Sequence, residues 1–88
     1  MIPEPAVQAF DTEREGYLQE LLTFLRFPTI SAQSQHAADM AACAGWVRDQ
    51  LAVAGLRAEV VITSGHPAVL ADSGPAAGRA ATLLFYGH

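Results

Sequence analysis

The 88-residue chain has no lysine and a single cysteine, Cys43. One thiol excludes both an internal disulfide framework and a cysteine-rich zinc module. Positive charge is scarce: five arginines stand against nine acidic residues, for a formal net charge of −4. So few cations cannot build a basic footprint, and no nucleic-acid partner is expected. Long apolar runs are missing too, none nearing the roughly 18 residues that would span a bilayer, so no membrane partner is expected. The opening Met1-Ile2-Pro3-Glu4-Pro5 is acidic and proline-bearing, unlike the positive start and apolar run of a secretory leader. The expected compartment is the cytoplasm, which a lone thiol fits.

Several catalytic templates are also missing. The chain holds no Gly-x-Ser-x-Gly elbow, no phosphate loop and no Gly-x-Gly-x-x-Gly turn. What is present is apolar: 51% of residues are hydrophobic and 16% charged, which argues for a folded chain. The length allows one small domain over 1–88, with no internal boundary or repeat.

Periodicity predicts two helices and then three strands, an α/β layout. Phe10, Tyr17, Leu21 and Leu25 stand at helical spacing with Leu18 and Leu22 beside them, giving a first helix over about 7–25. Pro3 and Pro5 read as a loose arm ahead of it. Gly16 weakens its interior, and Pro28 stops it by disfavouring helical geometry at Phe27. Phe27-Pro28-Thr29-Ile30-Ser31 reads as an extended connector. A second helix is expected with Ser34 as N-cap, Asp39 in its first turns, and a stripe of Met40, Cys43 or Ala44, Val47, Leu51 and Ala54. Gly55 supplies its stop. Cys43 on that stripe is a buried core residue rather than a nucleophile.

Beyond Gly55 the period becomes two. Ala58, Val60 and Ile62 alternate with Arg57, Glu59 and Val61, as in a half-exposed strand. Thr63-Ser64-Gly65-His66-Pro67 is a turn and Ala68–Ala71 a second strand, so the two pair as a hairpin. A surface loop is expected over 72–79. Ala81-Thr82-Leu83-Leu84-Phe85-Tyr86 is an unbroken apolar run, predicting a third strand covered on both faces. Two helices can cover only one face of such a sheet, so more polypeptide is expected to follow.

The histidines are the candidate functional residues. Gly87-His88 would set an imidazole at the carboxyl end of the third strand, where ligands of open α/β sheets gather. Neutral imidazole is a good zinc ligand, yet zinc wants about four ligands, three of them from protein even in open sites. His66, in its turn, is a candidate for capping the hairpin or lining a pocket. His36 reads as a solvated loop side chain. Asp11, Glu13 and Glu15 favour the dipole of the first helix, and Asp39, Asp49 and Glu59 read as solvated faces.

Four segments in order resemble one family. Leu21-Leu22-Thr23-Phe24-Leu25-Arg26-Phe27-Pro28-Thr29-Ile30-Ser31 is similar to a first helix and its Phe-Pro-Ser-Ile-Ser connector. Asp39-Met40, Ala44-Gly45-Trp46-Val47 and Leu51-Ala52-Val53-Ala54-Gly55-Leu56 resemble the second helix and its exit turn. Thr63-Ser64-Gly65-His66-Pro67-Ala68-Val69 is similar to a Thr-x-Gly-His-Pro-x-Val turn, and Thr82–His88 to a first metal-ligand strand. Together they resemble the N-terminal part of the dinuclear zinc peptidases: carnosine-type dipeptidases, aminoacylases and acetylornithine deacetylases, most closely the dipeptidase branch.

The resemblance implies an incomplete portion of a helix-covered, mixed-sheet catalytic domain, with His88 as one ligand to one of two zinc ions. It implies hydrolysis of a dipeptide or N-acyl amino acid by a zinc-activated water, with a glutamate taking the proton. The parent so implied is a metallopeptidase, of a kind that often forms homodimers. The supporting aspartate, the bridging aspartate, the glutamate base and the remaining ligands have no counterpart in these 88 residues, so the chain alone is expected to be inactive. The alternative is a small noncatalytic α/β module that binds a partner through an exposed strand or apolar face.

Overall fold

The computed structural model describes residues 2–75 and 81–88. Its elements are helices α1 (Glu4–Leu25) and α2 (Ala37–Val53) and strands β1 (Arg57–Val61) and β2 (Ala68–Asp72). A 3₁₀ turn over Ser34–His36 leads into α2. The α/β class and the hairpin agree with the sequence pattern.

Helix α1 starts earlier than the apolar period indicates. The Pro3 carbonyl accepts from the amides of Ala6 and Val7, at 3.0 and 3.2 Å. Pro5 lies in the first turn, where a missing N–H costs no hydrogen bond. The Pro3–Pro5 segment is therefore the helix start and not a loose arm. The helix bends at Glu13, whose φ of −110° and ψ of 17° leave the helical region. Just before the bend the Thr12 hydroxyl donates to the Gln8 carbonyl at 2.9 Å, a back-bond that often bends helices. Across it the Phe10 and Tyr17 rings stack at 5.7 Å, though seven residues rise about 10.5 Å in a straight helix. A hydrogen bond to Glu13, and that carboxylate's charge, hold the Tyr17 phenol above its ordinary pKa.

The chain leaves α1 where Pro28 requires. The amide of Thr29 donates to the Phe27 carbonyl and that of Ile30 to Pro28, both at 2.8 Å. These are successive three-residue turns, in a connector that bends at Phe27 and is irregular over residues 28–30. Ser34 does not cap α2. The His36 amide donates to the Gln33 carbonyl at 3.0 Å, and this tightening into a 3₁₀ turn moves the α-helical start to Ala37. His36 takes the N-cap position.

The exit of α2 follows from Gly55, whose φ is +98°. Its amide donates to the Ala52 carbonyl at 3.0 Å, and the Leu56 amide reaches back to Leu51 at 3.1 Å. This pair of bonds is a Schellman motif, and the left-handed backbone it needs is open to glycine without a Cβ clash. The motif turns the chain directly into β1. Ala54 lies past the last helical residue and is exposed, so it drops out of the expected stripe.

The strands pair antiparallel, with Arg57 opposite Asp72 and Val60 opposite Val69. Ala58, Val60 and Val69 are half-buried on the face toward α2, while Glu59 and Leu70 lie on the open face. Ile62 falls outside β1 and is 84% exposed. Cys43 and Ala44 are the buried apolar residues among those described, flanked by half-buried Met40, Val47 and Leu51. Helix α1 meets this unit through aromatic rings: Trp46 on α2 lies 6.1 Å from Phe24 and 5.9 Å from Phe27.

The third strand expected over 81–86 is not formed. Residues 81–88 carry no regular secondary structure, and Leu84 is 88% exposed. A strand apolar on both faces needs an apolar layer on each side, and α2, which packs on the hairpin among the described residues, is already engaged there. Of the expected 72–79 loop, Asp72 instead closes β2, residues 73–75 are irregular, and 76–79 lie outside the described residues.

Burial is low for the chain length. The accessible surface is 7366 Å², where a compact monomer of this size exposes about 5,000 Å². The radius of gyration is 15.4 Å, against about 12 Å for a compact domain of this length. Val7, Phe10, Tyr17, Leu18, Leu21, Leu22 and Leu25 of α1 are all exposed.

Candidate functional site

His66 sits in the turn that joins the strands, and its placement comes from the turn's own hydrogen bonds. The Thr63 hydroxyl accepts from the Gly65 amide at 3.0 Å and donates to the His66 carbonyl at 2.6 Å. Threonine is suited to this because its short side chain reaches backbone groups two and three residues away. The turn presents His66 outward, and its Nε2 donates to the Ser31 carbonyl at 2.9 Å, across 35 residues of sequence. A carbonyl only accepts, so Nε2 carries the proton and neutral His66 keeps an acceptor at Nδ1. The imidazole thus ties the hairpin turn to the connector that follows α1.

His36 is not the solvated loop residue that the sequence suggests. Its Nδ1 lies 2.8 Å from Oδ2 of Asp39, one turn into α2, and its side chain is largely covered. The i, i+3 spacing of these residues at a helix entrance is a readable signal that the loop assignment of His36 overlooked. Asp39 is correspondingly a bonded group rather than a free solvated face.

His88 is exposed at the end of the irregular 81–88 segment. The structure does not bring the three histidines together, and among the described residues no group of three His, Cys, Asp or Glu side chains could hold a metal ion. Zinc needs at least three protein ligands, so the residues present do not by themselves fit a zinc centre, mononuclear or dinuclear. Cys43 is buried in the α2 core, and desolvation pushes its thiol above the ordinary range, which suits packing and not nucleophilic attack.

A shallow open trough of about 540 Å³ lies along the hairpin, lined by Arg57, Ala58, Glu59, Leu70, Ala71 and Asp72. None of the three histidines borders it. An ion pair at its end, unforeseen in the sequence, closes the sheet: Arg57 Nε donates to Oδ1 of Asp72 at 2.8 Å. The Gly74 amide donates to the same oxygen at 2.7 Å, with Gly74 at a φ of +82°. Arg57 first, and then this amide, hold the Asp72 carboxyl below its usual range.

A carboxylate depressed in the folded state stabilises above its unfolded value, near pH 4, and that contribution is lost as pH falls through the lower folded value. Both side chains are exposed, so the effect is local. The expected result is fraying of the strand ends at Arg57 and Asp72 on acidification, seen in their backbone amide shifts. Asp72→Asn should abolish that acid limb; an unchanged limb would assign it to another group.

No protein-family model matches this chain, and no curated protein or solved structure matches it either.

Proposed function

We propose that this chain is the N-terminal portion of the catalytic domain of a zinc dipeptidase-like hydrolase, and that it does not turn over substrate alone. The carrying observation is the hydrogen bond from His66 to the Ser31 carbonyl. It joins two of the four segments on which the resemblance rests, the Phe27–Ser31 connector and the Thr63–Val69 turn, which are remote in sequence. The low burial supports the same reading: α1 and residues 83–86 expose the apolar side chains that a larger domain would cover. In that domain residues 81–86 would form an inner strand, delivering His88 to the metal site as one zinc ligand. The parent's substrate would be a dipeptide or N-acyl amino acid and its compartment the cytoplasm; dimerisation would lie outside these residues. No catalytic step is assigned to this chain, because its residues do not complete a metal site.

Two measurements test the proposal. The coding frame downstream of His88 should place an aspartate at the second codon, and its product should hydrolyse dipeptides with zinc and lose that activity on His88→Ala. A continuing frame with no acidic residue there, or an inert product, would overturn it. Calorimetry with zinc on the 88-residue chain should give the same weak heat for wild type and His88→Ala. A tight, stoichiometric signal dependent on His88 would show a self-sufficient site and refute the claim that this portion is inert alone.

A further inference from the structure

We draw no further inference here: the strongest candidate, the apolar face of α1 running through Val7, Phe10, Tyr17, Leu18, Leu21 and Leu25, stays exposed along its length, and beyond the larger domain already proposed nothing in the structure shows what covers it.

Discussion

Replacing Trp46 by alanine is expected to release α1 from the rest of the chain while α2 and the hairpin stay paired. Trp46 stacks on Phe24 at 6.1 Å and meets Phe27 at 5.9 Å. These rings span the end of α1, the bend after it and the middle of α2, so one side chain bridges three parts of the chain. Burying aromatic area and pairing rings are both favourable, the pairing adding about 0.5–1.5 kcal/mol per pair. Trp46 is half-buried rather than enclosed, so its loss should cost about 2 kcal/mol, below the range for a fully buried tryptophan. The effect should be uneven. Amide-exchange protection should fall across Leu18–Leu25 and hold around Cys43 and Ala44. Equal loss in both helices would mean that the cluster supports a single cooperative unit, and no loss in α1 would mean that something else holds it.

The second large effect is expected at Gly55. An alanine there would meet no atom within 4 Å, so crowding cannot be the cost. The backbone is the cost, since φ is +98° and L side chains avoid that region by about 1–2 kcal/mol, β-branched ones most of all. Gly55→Val should therefore lower stability by about 2 kcal/mol and disturb the paired bonds to Leu51 and Ala52 that steer the chain into β1. Gly16→Ala makes the matching control. That site is also open, but it lies inside α1, where alanine is favoured by about 1 kcal/mol. Thermal melts should move down for one and up for the other. If both variants gained stability, the left-handed turn at Gly55 would not be what holds the exit of α2.

Much of the architecture was legible because local chemistry imposes it. Pro28 cannot extend a helix, and Gly55 is readable as a left-handed stop from its place just past an apolar stripe. The alternation of Ala58 and Val60 with Arg57 and Glu59 records a strand with one covered face. Element starts were harder. Ser34 and the N-terminal prolines carry ambiguous signals, and the outcome depended on which carbonyl each amide found: Gln33 for His36, Pro3 for Ala6 and Val7.

The histidines show the same division. The sequence marked His66 as a turn residue but held no sign that its ring reaches Ser31, because nothing local links positions so far apart. It read His36 as a loop side chain, and the structure pairs that ring with Asp39. His88 stands out by following Gly87 at the end of an apolar run, and the fold gathers no group of three metal-ligating side chains among the described residues.

The shortage of cations, the lone thiol and the absence of long apolar runs are legible without any structure, since charge and hydrophobicity are properties of composition. The same holds for the helices and the hairpin, whose periods and turn residues act over a few positions. Tertiary structure alone decided that Trp46 bridges the two helices and that Arg57 locks onto Asp72. It also decided that the run 81–86, apolar enough for an inner strand, does not form one here. An inner strand depends on surfaces supplied from elsewhere in the fold, and its own residues, however apolar, cannot supply them.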